Sequence, residues 1–454
     1  MMDPLISVVV PTRDRKDSIQ RLLRALAGDL TAPSFEVVVV DDGSSDATVT
    51  TLRQLRPPYP LSIVEQGGDG PAQARNAGAR AARGQLLLFL DDDVQPLPGT
   101  LAAHARFHRD EESLIGIGDL PPVVDGSSFF AGILRGWWEM MLQDIQRAGH
   151  RFGMRNLLTG HVSIRRDRFD ALGGFDPALR CHEDWEFGYR ALRAGLQMRF
   201  VPGAVAPHHD STDLSKALHR KFEEGVADIE LTRRHPELAR VFPYAWPIAS
   251  KKARVLKRLT FVTPRLAAVA ARNLERMLPL FERMKLRFRW RHTLELLLIY
   301  HYWRGVSSLL PHRRDVSALL AAHREAPAEP VVVDLADGLE TAARQLDAMR
   351  PASITLTLGD DVVGTVYEWP GLEPLRGEHL PALLARGFRW QYLCALARRG
   401  VIPPPLASAL PALPQASRNV TRAPLVRDEQ LASHVAARLD VQHGAAVPPV
   451  HDVA

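Results

Sequence analysis

Short apolar runs set the grammar of this chain. Ile6 to Val10, Phe35 to Val40, Leu61 to Val64 and Leu86 to Leu90 are strand-length stretches, mostly continuous in their apolar character. Such runs predict strands covered on both faces, as in a parallel sheet. Between them the period changes. Ile19, Leu22, Leu23 and Leu26 recur at helical spacing, and Val49 with Leu52 marks a second helix. Pro11 and Thr12 are expected to break the first strand, and Asp17 or Ser18, then Ser45 or Asp46, stand where caps belong. A glycine-rich loop from Gln66 feeds a third helix through Pro71, a residue that suits a first turn. Strand and helix in alternation are the pattern of right-handed βαβ units, so the expected class is α/β with a mostly parallel, Rossmann-like sheet.

Two of these strands end in acid. Asp41-Asp42-Gly43-Ser44 follows the second, and Asp91-Asp92-Asp93 follows the fourth. In open α/β sheets ligands bind at the carboxyl edge, and adjacent like charges repel unless a cation or solvent relieves them. Turn chemistry alone accounts for Asp-Gly-Ser; the conjunction with three further carboxylates points to a metal site holding a phosphorylated ligand. A dinucleotide site is disfavoured, because Pro11-Thr12-Arg13 follows the first strand in place of G-x-G-x-x-G. Further on, Glu183-Asp184 opens a helix, where the macrodipole stabilises negative charge. Glu186 and Arg190, one turn apart, are expected to pair. Trp137, Trp138, Met140 and Met141 read as core packing, and Cys181 as a small packed side chain.

The second half is organised differently. Residues 251–291 hold 13 lysines and arginines against two acids, Glu275 and Glu282, interleaved with Val255, Leu256, Leu259, Leu266, Val269, Leu274, Met277 and Leu278. Basic amphipathic helices of this kind pack on a core or lie on an anionic membrane. Beyond a proline-bearing linker at Pro327 to Pro330, alternation at Ile354 to Leu358 and Val362 to Tyr367 suggests a small α+β module with a hairpin at Asp360-Asp361. Leu380 to Arg399 reads as one helix. The proline-rich tail after Val401 is expected to be partly disordered, with a short helix near Glu429 to Leu439.

Composition narrows the function classes. A formal charge of +5 over 454 residues does not indicate nucleic-acid binding, and the two cysteines, Cys181 and Cys394, support neither a disulfide framework nor a cysteine zinc site. No apolar run spans a bilayer, and no signal peptide is expected at the start.

The series SVVVPTRDR, FEVVVVDDGSSDAT and ARNAGARAARGQLLLFLDDDV, with the later Gly160-containing segment and CHEDWEFGYR, resembles the family 2 glycosyltransferases over roughly the first half of the chain. The resemblance implies a type-A fold, a nucleoside-diphosphate-sugar donor, most readily a UDP-sugar, and Mg2+ or Mn2+. It makes Asp91 and Asp93 the D-x-D carboxylates around the metal, with His208 or His209 as a further ligand. Asp41 and Asp42 become nucleoside contacts, with Pro11, Thr12, Arg13, Arg75 and Asp92 in the nucleotide site. Arg13 departs from the polar or aromatic residue frequent in the family. Asp184, beside Glu183, becomes the base of an inverting transfer, and Gly160, His161 and Trp185 face the acceptor, a glycan, lipid-linked or protein hydroxyl.

The expected layout is a catalytic domain at 1–240, a basic helical subdomain at 241–326, an α+β module at 327–400 and a tail at 401–454. A cytoplasmic protein, peripheral at the inner membrane face through residues 251–291, fits it. A nucleotidyltransferase, releasing pyrophosphate, and a non-catalytic nucleotide- or carbohydrate-binding scaffold are the rival classes.

Overall fold

The computed structural model describes residues 3–109, 113–322 and 329–401; the expected tail, with its helix near 429–439, lies outside the described residues. Of the described residues, those up to 322 with 370–373 form one compact unit, and 329–369 with 374–401 form another.

In the first unit the strands are β1 (Ile6–Thr12), β2 (Phe35–Asp41), β3 (Leu61–Glu65), β4 (Leu86–Leu90), β5 (Leu114–Asp119), β6 (His161–Arg165) and β7 (Gln197–Val205). They make one seven-stranded sheet in the order β3-β2-β1-β4-β6-β5-β7. All neighbours pair in parallel except β6, which runs antiparallel to both β4 and β5. The expected mostly parallel sheet is present. Every residue of β4 is buried, as its unalternating LLLFL requires.

Pro11 and Thr12 do not break β1; they pair with Val40 and Asp41 of β2. Pairing of β1 with β4 ends at Val9, so a residue lacking an N–H is tolerated beyond it. Helices α1 (Lys16–Ala27), α2 (Thr48–Gln54) and α3 (Pro71–Ala81) connect the first four strands. Neither α1 nor α2 has a side-chain cap: Asp17 lies inside the first turn of α1, and Asp46 accepts the N–H and hydroxyl of Thr48 at the start of α2.

Helices α4 (Thr100–Phe107) and α5 (Phe129–Ile145) follow, then α6 (Arg166–Ala171), α7 (Glu183–Arg193) and α8 (Leu214–Arg234). The helical continuation is α9 (Lys251–Val262), α10 (Pro264–Arg283), α11 (Arg287–Leu309) and α12 (Arg313–Ala321). It belongs to the same compact unit. Two glycines let α8 and α11 touch: a Cβ at Gly225 would meet the Tyr302 carbonyl at 2.1 Å, and one at Gly305 would meet that of Phe222 at 2.1 Å. The bulky cluster of α5 divides: Trp138 and Met141, half-buried, pack against the core, and Trp137 does not. Trp137 is 48% exposed, and only Ala131, Leu142 and Ile145 of that helix are buried.

The second unit carries a three-stranded sheet, β10-β9-β8, from β8 (Val331–Asp334), β9 (Ile354–Leu358) and β10 (Asp361–Val366), with α13 (Leu339–Met349) between β8 and β9. The expected hairpin is there, Leu358 opposite Asp361. The expected helix from Leu380 is interrupted at Gly387-Phe388, and a regular helix resumes only at Arg389–Arg398. Glycine, with its high conformational entropy, is a poor residue to carry a helix through that point.

Behind β5 and β6 lies a buried polar chain. His161 Nδ1 is 3.1 Å from the Asp119 carbonyl, His161 Nε2 is 2.9 Å from His104 Nε2, His104 Nδ1 is 2.7 Å from Ser163 Oγ, and His108 Nε2 is 2.8 Å from that same oxygen. Because a carbonyl only accepts, His161 carries its proton on Nδ1. Its Nε2 then accepts from His104, whose Nδ1 accepts from Ser163. Three neutral rings in one proton order satisfy these four contacts, leaving only His108 Nδ1 of the three rings buried without a hydrogen-bond partner. Gly118 makes room, since a Cβ there would fall 2.2 Å from the His161 ring.

Burial lowers all three pKa values, His108 and His161 to about 4 and His104 well below its usual range. Unfolded histidines titrate near 6.5, so below that pH the unfolded chain binds more protons and stability falls as pH drops toward the folded values. From pH 6.5 to 5.5 the expected loss is about 1 kcal/mol per ring. Urea midpoints across that interval test it, and an unchanged midpoint would contradict the neutral chain.

Candidate active site

The carboxyl ends of β1, β2 and β4 bring the predicted acids to one edge. At the end of β2, Asp41 Oδ2 accepts the N–H groups of Gly43 at 3.2 Å and Ser44 at 3.0 Å, while its Oδ1 is buried without a hydrogen-bond partner. Asp42 accepts from Gln66 Nε2 at 2.6 Å and from the Gly70 N–H. Its own N–H donates to Thr12 at 2.8 Å, tying the edge of β2 to that of β1. Pro11 is half-buried between them, and Arg13 is exposed beside Gly68.

After β4 the three aspartates diverge. Asp92 turns inward and accepts from Thr12 Oγ1 at 2.7 Å; burial pushes its carboxyl up to about 7 against that bond. Asp93 meets Arg15 at 3.1 Å and His208 Nε2 at 3.3 Å. Burial alone would raise the Asp93 carboxyl, but these partners, His208 first, hold it below the ordinary range. His208 is raised in turn, because Asp93 outweighs the opposing effect of burial. His209 contributes its backbone N–H to the Asp93 carbonyl, while its ring turns to Gln95. Trp138 of α5 sets its ring edge-on to His208 at 4.8 Å and donates to Asp210.

Asp91 makes the connection to the other half of the edge. Arg75 of α3 donates to Asp91 Oδ1 at 2.7 Å and to Glu183 Oε1 at 2.9 Å, and its side chain is only 5% exposed. It is thus a buried bridge rather than a surface arginine. Both carboxylates outweigh its desolvation and hold its pKa above the usual value. Gly160 lies against Asp91: it accepts the Asp91 N–H, and a Cβ there would come within 2.9 Å of Oδ2.

Glu183 and Asp184 open α7 as expected. The helix starts from His182 in a left-handed conformation, φ 61°. Burial, then the neighbouring Asp184, raises the Glu183 carboxyl, with Arg75 opposing. Asp184 Oδ1 accepts the Trp185 N–H at 2.8 Å. Trp185 is stacked on His182, centroids 3.6 Å apart, with the Arg155 guanidinium 4.9 Å from its ring. Glu186 and Arg190 pair at 2.7 Å.

Of the acceptor residues named from the sequence, Gly160 and Trp185 lie at this edge. His161 does not: it is fully buried in the histidine chain.

Several participants were not named from the sequence. Arg15 reaches Asp93. Arg220 of α8 is raised in pKa, burial opposing, by Cys181, Asp184, Glu224 and Glu183. His182 meets Asp228 at 3.2 Å, and Tyr302 of α11 donates to the other oxygen of Asp228 at 2.6 Å. These contacts join residues remote in the chain, and no short motif announces them.

Asp93 Oδ1, buried without a hydrogen bond, and His208 Nε2 lie 3.3 Å apart and offer a carboxylate and an imidazole to a divalent ion, but among the described residues Asp91 does not join them in one cluster of ligand atoms. Oxygen-rich sites of this composition suit Mg2+ or Mn2+.

Removing Arg75 leaves Asp91 and Glu183 without their shared counter-charge. Arg75→Met is expected to cost about 3 kcal/mol, the lower end for breaking a buried pair, because Asp91 is partly solvated. Glu183→Gln in the same background should recover part of the loss, read as the urea midpoint.

Residues 7–173 match the sequence profile of the family described as glycosyl transferase family 2. Similar proteins include validoxylamine A glucosyltransferase of Streptomyces hygroscopicus subsp. limoneus, 32% identical over 275 residues, which are 52% of this chain and 58% of that protein. The pre-mycofactocin glycosyltransferase of Mycobacterium tuberculosis is 27% identical over 251 residues, 51% of this chain and 48% of that one. The chain thus spans about half the length of these relatives. Among solved structures, a mannosyltransferase from Pyrobaculum calidifontis, in complex with GDP-Man and Mn2+, aligns at 19% identity and a TM-score of 0.45. The alignment covers 67% of this chain and 88% of that one.

Proposed function

On the premise that residues 7–173 are a glycosyl transferase family 2 domain, we propose that this chain moves a sugar from a nucleoside diphosphate to an acceptor hydroxyl, inverting the anomeric centre. The observation that carries the reading is the Arg75 bridge. It couples Asp91, one of the two candidate ion-binding carboxylates, to Glu183, next to Asp184. One cleft then offers both an electrostatic sink for a leaving diphosphate and a base.

The roles follow from chemistry. Asp41 and Asp42 receive the nucleoside, the unpartnered Asp41 Oδ1 being free to accept from a ribose hydroxyl or base N–H. Asp91, Asp93 and His208 would hold a divalent ion, which would supply positive charge opposite the departing diphosphate. Arg15 and Arg75 position Asp93 and Asp91.

Asp184 takes the acceptor proton. Its Oδ1 is occupied by the Trp185 N–H, so its second oxygen is the one offered. The deprotonating hydroxyl oxygen forms its bond to the anomeric carbon on the face opposite the breaking carbon–phosphate-oxygen bond, and inversion results. Glu183 acts through Arg75, as a positioning residue. Trp185, flanked by His182 and Arg155, supplies an aromatic surface beside the base for a glycan or lipid-linked acceptor.

Asp184→Asn keeps the shape and removes the base. Transfer should fall by about two to four orders of magnitude with donor affinity nearly unchanged, which parallel transfer assays and donor calorimetry measure. Full transfer by that variant would overturn the assignment. Asp93→Asn is expected to weaken Mn2+ affinity at least about tenfold, since even indirect partners of metal ligands cost that much. Manganese titration with and without nucleoside diphosphate reads this, and a panel of UDP- and GDP-sugars screened for donor hydrolysis identifies the donor.

A further inference from the structure

We propose that the outward face of α10, with the turn after it, docks this chain on an anionic lipid bilayer. The packing of α10 is accounted for by Ala267, Ala271, Leu278 and Phe281, all buried. A second apolar row faces away from them. Leu266, Val269, Met277, Leu280 and Met284 are 61, 46, 41, 51 and 58% exposed, and Phe288 beyond the turn is 84% exposed. At 3.6 residues per turn the first five fall within about 80° of the helix circumference, a single stripe.

Arg265, Arg272, Arg276 and Arg283, all exposed, line one edge of that stripe. The two acids of the helix lie on the opposite side and are engaged there. Glu275 meets His301 at 3.3 Å, and Glu282 accepts the Phe129 N–H at 2.7 Å. The outward face is therefore apolar and cationic with no carboxylate. A groove of about 490 Å³ beside α9 adds Lys251, Arg254, Lys257, Arg258 and Arg313, again without an acid in its lining.

Exposed apolar rows beside arginines that form no ion pair among the described residues match a bilayer interface, where aliphatic side chains enter the acyl boundary and cations meet lipid phosphates. A second copy of this chain is the poorer occupant, because it presents the same positive charge. A nucleic acid satisfies the arginines but not the leucines, valine and methionines, since single strands are held by aromatic stacking. Among the described residues no helix is long and apolar enough to cross a membrane, so the contact proposed is peripheral.

The full chain, sedimented with sucrose-loaded phosphatidylcholine vesicles containing roughly 30% phosphatidylglycerol, should partition at least about tenfold more strongly than with phosphatidylcholine alone, and molar salt should weaken it. Two variants separate the contributions: Leu280→Ser with Met284→Ser and Phe288→Ser, and Arg272→Glu with Arg276→Glu and Arg283→Glu. Each should lose most of the partitioning while keeping the wild-type circular dichroism spectrum. Wild-type protein that ignores both vesicles, or binds them equally, sinks the proposal. So does a serine variant that partitions like wild type, or self-association of the wild type that the serine variant abolishes. The vesicle readout involves no sugar transfer, so it stands or falls apart from the catalytic reading.

Discussion

The guanidinium of Arg75 is the counter-charge on which the candidate site depends. Asp91 and Glu183 come from segments 92 positions apart in the chain, one at the end of a parallel strand and one at the start of α7. Without a cation between them their charges would repel, and burial would aggravate it. Arg75 donates to both, from a helix whose own position is fixed by packing on β1 and β2. The same problem recurs along the edge and is answered each time by a local donor. Backbone N–H groups serve Asp41 and Asp42, a hydroxyl serves Asp92, and Arg15 with His208 serves Asp93.

A second constraint reaches the site from the helical continuation. Tyr302 on α11 holds Asp228 on α8, Asp228 faces His182, and His182 stacks on Trp185 next to the proposed base. This chain is buried, and the glycine contact of α8 with α11 sets its spacing. Asp228 and Cys181 outweigh the burial of His182 and raise its pKa to about 10. A helical segment with no catalytic motif thereby holds the ring on which Trp185 stacks. The outer side of that segment is left over by this packing, which is why its apolar and basic residues call for a separate explanation.

Much of the layout was legible because it depends on local pattern. Unalternating apolar runs named the parallel strands, helical spacing named the connecting helices, and acids at strand ends marked the edge where ligands bind. The failures have a common cause. Pro11 was read as a breaker because the sequence does not say where pairing with β4 ends. Arg75 is expected in the nucleotide site, and its bridge between Asp91 and Glu183 is not foreseen because the two partners are distant in sequence. His161 follows the Gly160 that touches Asp91, yet strand alternation sends its ring to the other face, into the histidine chain. Trp138 and Met141 of α5 do pack against the core, but Trp137 stays at the surface, because only one side of that helix meets the sheet unit's interior.

The sequence by itself determined the class of the sheet, the placement of Asp41, Asp42, Asp91 and Asp93 at strand ends and the opening of α7 by Glu183 and Asp184, since each follows from residues within one element. Tertiary structure alone decided which of those carboxylates are bridged, which turn inward, which histidine of the 208–209 pair faces Asp93, and which side of the basic helices remains open. These are questions of partnership between distant segments. Burial and charge settle them only once the segments have met.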